Sequence, residues 1–246
     1  YKILPKYKEM ILEKINIERP MKVVMDCGNA AGGINGPDVF NALGIELKEL
    51  FSEPDGTFPN HHPDPTVEEN LQNLIAEMKT GQYDVGLAFD GDADRVGVVD
   101  ETGDIIWADQ LMALFLPEII ENGEDILFDV KCSQALEDMI NRYGGNPIMW
   151  KTGHSLIKQK MGELDCKFGG EMSGHIFFAD DYFGYDDALY VGARLVPVTY
   201  KHLRAHETRH DLVCRLLLEI KYLNFLMHQN VHYFISHSLC LMFCLI

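Results

Sequence analysis

The stretch Asp90-Gly91-Asp92-Ala93-Asp94-Arg95 constrains this chain more than any other. It follows the apolar-leaning run Asp84-Val85-Gly86-Leu87-Ala88-Phe89 and precedes Val96-Gly97-Val98-Val99-Asp100, so the pattern predicts a strand, a tight acidic loop and a second strand. Three carboxylates in so short a loop repel one another at neutral pH unless a positive charge sits among them. Alternate loop residues can turn toward one ion, which makes a bound divalent cation the economical reading. An all-oxygen ligand set favours Mg²⁺, Mn²⁺ or Ca²⁺ over zinc.

The sequence around this loop alternates strand and helix signals. Lys22-Val23-Val24-Met25-Asp26 reads as a buried strand, residues 27–33 as a glycine-rich turn, residues 37–43 as a helix and residues 45–50 as a second strand. The turn does not match G-x-G-x-x-G, so it is read as a tight turn that brings the helix near the sheet. Upstream, Met10, Ile11, Ile15 and Ile17 predict a helix over residues 7–18 within a linker of residues 1–19. Residues 53–65 form a long loop. Its His61, His62 and Asp64 raise a histidine-carboxylate metal site, but neighbouring side chains of an extended loop point in opposite directions, which favours simple packing.

Thr66-Val67-Glu68-Glu69 reads as a capping box for a helix bearing Leu71, Leu74, Ile75 and Met78. Asp109 reads as the cap of a helix carrying Leu111, Met112, Leu114 and Phe115, kinked at Pro117. After a boundary near residues 122–125 the pattern repeats: a strand over 126–130, a helix through Leu136, Met139 and Ile140, and a strand over 147–150. The expected fold is α/β, with mixed sheets covered on both faces. The expected domains are residues 20–123 and 124–199.

Residues 200–246 depart from this pattern. They hold five bases and three acids in a chain of net charge −17, with six of its ten histidines and three of its six cysteines. They are read as an atypical tail. The acidic balance argues against nucleic acid and anionic membranes as partners, and no unbroken apolar stretch is long enough to span a membrane. The cysteines show neither paired CxxC spacing nor a disulfide-scaffold density, so the expected compartment is a reducing cytosol.

The acidic loop has two lookalikes. As an EF-hand loop, Asp90, Asp92, Asp94 and Glu101 match positions 1, 3, 5 and 12, but Arg95 stands at the turn glycine and the flanks read as strands. As a haloacid-dehalogenase-like loop, a strand followed by D-x-D fits better, and a sugar-phosphate phosphatase is the enzymatic alternative. A second group, Gly169-Gly170-Glu171-Met172-Ser173-Gly174-His175, fails the G-x-S-x-G nucleophile pattern. Its glycines let backbone approach a ligand while Glu171, Ser173 and His175 offer hydrogen bonds suited to sugar hydroxyls. A third, Lys151-Thr152-Gly153-His154-Ser155, stands before a helix of Leu156, Ile157 and Met161 whose N-terminus can face an anion.

The three groups together, in this order and approximate spacing, resemble the α-D-phosphohexomutases. Asp26-Cys27-Gly28-Asn29, Pro59-Asn60-His61-His62-Pro63-Asp64-Pro65 and Asp129-Val130-Lys131-Cys132-Ser133 are similar to the bacterial phosphomannomutase/phosphoglucomutase branch. Ala30 stands where that branch usually has glycine. The resemblance covers roughly residues 5–199 and implies two consecutive mixed-sheet α/β sandwiches, the family's second and third domains, followed by a non-family tail. It implies Mg²⁺ on Asp90, Asp92 and Asp94, with Arg95 beside the phosphoryl-transfer site. Lys131 and His154 would approach the substrate or its phosphate, and Glu171, Ser173 and His175 would bind the sugar. The implied substrates are mannose or glucose 1- and 6-phosphates, interconverted through a phosphoserine. Neither the family's serine loop of domain 1 nor the phosphate-clamping loop of domain 4 occurs in these 246 residues. The 246-residue chain alone is therefore expected to be inactive, a metal- and sugar-phosphate-binding remnant being the non-enzymatic alternative.

Overall fold

A computed structural model describes residues 3–207, of which those up to Lys201 belong to one compact unit built around two mixed sheets. Helix α1 (Leu4–Lys14) leads in. It begins three residues earlier than the periodicity suggested, because Pro5 lies in its first turn, where a missing N–H costs nothing. It also ends before the expected residue 18, with Ile15 already extended.

The first block is β1 (Lys22–Asp26), α2 (Gly32–Ala42), β2 (Glu46–Leu50), a 3₁₀ turn at Glu68–Leu71, α3 (Gln72–Met78), β3 (Val85–Phe89), β4 (Val96–Val99) and β5 (Ile105–Ile106). Its strand order is β2-β1-β3-β4-β5, with β1 parallel to both neighbours and β4 antiparallel to β3 and β5. Val23, Val24 and Met25 are fully buried, as a strand covered on both faces requires. Leu71, Leu74, Ile75 and Met78 pack on Val24, Ala88 and Val99 to form the core of one face.

Two local features differ from the sequence expectation. Helix α2 starts at Gly32, and Pro37 lies inside it rather than at its start. Thr66 is not a helix cap: its hydroxyl donates to Asp64 Oδ1 at 2.7 Å, and the turn begins after Val67 with no side-chain cap. The Thr66 N–H donates to the same oxygen at 3.1 Å, so Thr66 is held in a compact turn with Asp64, two residues upstream.

The second block comprises α4 (Ala108–Ile119), β6 (Asp125–Asp129), α5 (Gln134–Arg142), β7 (Asn146–Trp150), α6 (His154–Leu164), β8 (Phe168–Gly170) and β9 (Ile176–Phe178). Its order, β7-β6-β8-β9, repeats the directions of the first sheet: β6 runs parallel to β7 and β8, and β9 antiparallel to β8. Leu127, Ile157, Met161, Cys166 and Phe177 form the core on one face. Asp109 does not cap α4. The helix starts after Trp107, whose N–H donates to Gln110 Oε1 at 3.0 Å, while Asp109 is buried and accepts from the Gln110 and Ser133 N–H groups at 2.8 and 3.0 Å. Helix α4 packs on α5 and β8, although it lies ahead of the expected boundary at 123.

Helix α7 (Ala188–Glu207) closes the described chain and runs through the expected start of the tail at residue 200. Its Gly192 faces Leu87 and Phe40 of the first block, and its Tyr190 ring packs edge-on against Phe178 of the second. The remainder of the expected tail, from residue 208, lies outside the described residues. Among those described, no helix is long and apolar enough to cross a membrane.

Candidate functional site

One parallel strand of each sheet, β1 and β6, ends in an aspartate, and that aspartate anchors the loops beyond it. Asp26, at the end of β1, is fully buried, accepts from the Gly28 N–H at 2.9 Å and pairs with His61 Nε2 at 3.1 Å. This partner holds the His61 pKa above its ordinary value. His61 therefore packs on Asp26 rather than joining His62 and Asp64 at a metal. Asp129, at the end of β6, is also fully buried and receives the Thr152 hydroxyl at 2.7 Å, the Met172 N–H at 3.0 Å and the Cys132 thiol at 3.2 Å. One carboxylate thus ties together the loops carrying Lys131, His154 and Glu171. Lys131 itself is exposed, in the turn after β6, and forms no ion pair among the described residues.

The acidic loop joins β3 to β4 as expected. Asp90 is buried and organises it: Oδ1 accepts from the Asp94 and Arg95 N–H groups at 3.0 and 3.1 Å, and Oδ2 from Arg95 Nε at 2.8 Å. Ala93 takes the left-handed conformation at the tip, with φ +62°. Arg95 also reaches Asp64 Oδ1 at 3.2 Å. Burial works against its charge, but Asp90 and Asp64 outweigh that and raise its pKa. Carboxylate oxygens of Asp90, Asp92 and Asp94 lie within 4.8 Å of one another. Asp90 Oδ1 is filled by two N–H groups, but its Oδ2 and the Asp92 and Asp94 carboxylates keep lone-pair capacity, so this hard donor set fits a magnesium-like ion.

The loop between β8 and β9 meets the acidic loop. The Val96 N–H donates to the Gly174 carbonyl at 3.2 Å, and His175 Nε2 lies 3.2 Å from Asp94 Oδ1. Gly174 has φ +97°, and a Cβ there would stand 2.8 Å from the Val96 carbonyl oxygen, so both conformation and space demand glycine. Glu171 is buried, accepts from the Gly153 N–H at the start of α6, and lies 3.2 Å from His175 Nδ1. Ser173 Oγ lies 3.0 Å from the same nitrogen. The imidazole of His154 stacks on that of His175, with centroids 5.2 Å apart.

These contacts set the local charge balance. Burial alone lowers the His175 pKa, but the Glu171 hydrogen bond and the charges of Asp94 and Asp186 prevail and raise it. Burial raises the pKa of Asp94, Asp90 and Asp92 add to the rise, and His175 opposes it. Asp186 was absent from the sequence reading. It lies beyond β9, where Lys158 Nζ meets its Oδ1 at 2.7 Å and His154 Nδ1 stands 3.3 Å from Oδ2. Its only sequence signal is membership of an acidic stretch, Asp180 to Asp187, that reads as solvated surface.

Comparison with known proteins agrees with this geometry. Residues 5–103 match the family model for phosphoglucomutase/phosphomannomutase α/β/α domain II, and residues 107–215 match domain III, so the match runs past residue 199, where the family pattern was expected to stop. A phosphomannomutase/phosphoglucomutase of Pseudomonas aeruginosa is 51% identical over 207 residues, covering 83% of this chain and 45% of that protein. A phosphoglucomutase of Neisseria meningitidis is 48% identical over 194 residues, covering 78% of this chain and 42% of that protein. The crystal structure of a phosphoglucomutase/phosphomannomutase family protein from Burkholderia thailandensis superposes with a TM-score of 0.78 at 48% identity, covering 80% of this chain and 44% of that one. The chain spans under half the length of these relatives. It belongs to the phosphoglucomutase/phosphomannomutase family, and it carries that family's second and third α/β/α domains.

Proposed function

We propose that this chain supplies the metal-binding and sugar-binding loops of a phosphohexomutase, an enzyme that moves a phosphoryl group between the 1- and 6-positions of mannose or glucose phosphates. The observation that carries the reading is the meeting of the β3–β4 and β8–β9 loops, joined by the Val96–Gly174 hydrogen bond and the Asp94–His175 contact. It sets a hard cation site beside a group of hydrogen-bonding side chains, Glu171, Ser173 and His175, and phosphoryl transfer to and from a sugar requires both charge neutralisation and alignment.

In this reading Asp90, Asp92 and Asp94 would hold Mg²⁺, which would supply positive charge to neutralise a phosphoryl group. Arg95, locked by Asp90 and Asp64, presents its guanidinium toward the phosphate at the same edge. Glu171 and Ser173 orient the sugar hydroxyls, with His175 between them. Lys131 and His154 approach the phosphate from the second lobe. The division between the two lobes falls ahead of α4, since that helix packs on α5 and β8. A cytosolic location accords with Cys27, Cys132 and Cys166, which are free thiols buried in the fold.

Calorimetric titration of the chain with glucose 1-phosphate in saturating Mg²⁺ tests the reading. Binding that is lost in Glu171→Gln and weakened in Asp92→Asn is expected. Absence of binding by the folded chain overturns it. Release of free phosphate that Asp90→Asn abolishes would instead assign a haloacid-dehalogenase-like phosphatase.

A further inference from the structure

Asp186 poses a problem that the proposed phosphoryl-transfer site leaves unanswered. Its side chain is 7% exposed, and its Oδ2 is buried without a hydrogen-bond partner. A buried carboxylate oxygen without a hydrogen bond is costly, and the two imidazoles that face it, His154 and His175, do not supply one. Lys158 neutralises Oδ1 at 2.7 Å, so the open oxygen is the one turned inward, 3.8 Å from His175 Nε2 and 3.3 Å from His154 Nδ1. Ligand atoms of Asp94, His175 and Asp186 lie within 4.8 Å of one another. This is a second convergent set, distinct from the triad of Asp90, Asp92 and Asp94, with Asp94 common to both.

The donors differ in kind between the two sets. The triad offers only carboxylate oxygen, whereas the second set adds an imidazole. His175 is also held as metal-binding histidines are held: Nδ1 faces Glu171 Oε2 at 3.2 Å, which leaves Nε2 directed toward Asp94 and Asp186. An imidazole with two carboxylates suits a borderline ion at three protein ligands with a fourth position open.

We propose that Asp94, His175 and Asp186 form a second cation site that takes a divalent transition ion of the zinc type, with His154 beside its open position. The site is selective by donor chemistry, since Mg²⁺ prefers oxygen and the imidazole favours the softer ion. An ion there would occupy His175 and so compete with the sugar contact proposed above.

Titration of the metal-free chain with Co²⁺, read by visible absorption, tests the site by itself without any substrate. An intense band from a nitrogen-containing, low-coordinate Co²⁺ site is expected in the wild-type chain and in Asp92→Asn, which breaks only the triad. Asp186→Asn and His175→Gln are each expected to weaken that binding by at least about tenfold. Asp186→Asn preserves shape and an acceptor for Lys158; should it fail to fold, His175→Gln decides alone. Wild-type affinity in either folded variant overturns the proposal. So does loss of the band in Asp92→Asn, which would assign the ion to the triad, or a band that survives all three substitutions.

Discussion

Gly174 shows how much one missing Cβ can matter. Any other residue there meets both a left-handed backbone and the Val96 carbonyl oxygen at 2.8 Å. Gly44 has a similar φ of +80° but open space around its Cβ position. Gly174→Ala should therefore destabilise by ~1–3 kcal/mol through clash plus strain. Gly44→Ala should lose only about 1 kcal/mol, the left-handed strain alone. Urea denaturation of the two variants checks the contrast, and equal losses would mean that the loop yields to the added methyl group. A second residue-scale expectation concerns His61, half-buried against Asp26, with its pKa raised above 6.5 mainly by that hydrogen bond. Below the unfolded value both states are protonated and the pair contributes fully. As the pH climbs, the unfolded chain loses its proton first, so stability falls until the pH passes the raised folded value. Substitution of His61 by Gln should flatten that part of the stability–pH curve relative to wild type.

At the scale of elements, α7 is the part that the sequence pattern identified least well. Its length was hidden because Pro197 interrupts it and because its residues from 200 on were read with the tail. Two contacts secure it. Arg194 pairs with both oxygens of Asp180, at 2.8 and 2.5 Å, and its guanidinium lies 4.1 Å from the centre of the Phe178 ring. Gly192 allows the helix to approach Leu87, whose Cδ1 would stand 3.0 Å from a Cβ at that position. Replacing Gly192 with Val should overpack this contact and cost ~1–3 kcal/mol. Thermal unfolding would register the loss. By contrast, α3 was foreseeable from Leu71, Leu74, Ile75 and Met78 alone, because their helical spacing puts all four on the buried face. Its start was not, since the turn in which Asp64 holds both the N–H and the hydroxyl of Thr66 depends on how the loop folds.

At the scale of the whole described chain, a five-stranded and a four-stranded sheet that share the same directions over four strands bring the β3–β4 and β8–β9 loops together, and the first of these loops carries three mutually repelling carboxylates. Asp92 is exposed, and in the absence of metal its charge adds to the burial that already raises the Asp94 pKa. Asp92→Asn should leave the metal-free fold as stable as wild type or slightly more so. Mg²⁺ should stabilise the wild-type chain by about 2.7 kcal/mol at a hundred times its dissociation constant, and the variant by much less. Melting curves at rising Mg²⁺ measure both effects. An equal rise in melting temperature for the two chains would remove Asp92 from the metal site.

The α/β alternation, the strands on either side of residues 90–95 and the oxygen-rich loop are all local. Apolar period, turn glycines and crowded carboxylates are written in contiguous residues, so the sequence by itself determined them. It also suggested which loops belong together, through three motifs in order. What only the tertiary structure decided is which partner each charged group takes. Asp26 receives His61 from 35 residues away, and Asp129 gathers groups from the loops at 152 and 172. Asp186 turns an unmatched oxygen toward two histidines. Such pairings follow from how the loops beyond the strand ends of each sheet fold over one another, and burial then makes each of them matter, because a charge withdrawn from water must be met by whatever the fold brings next to it.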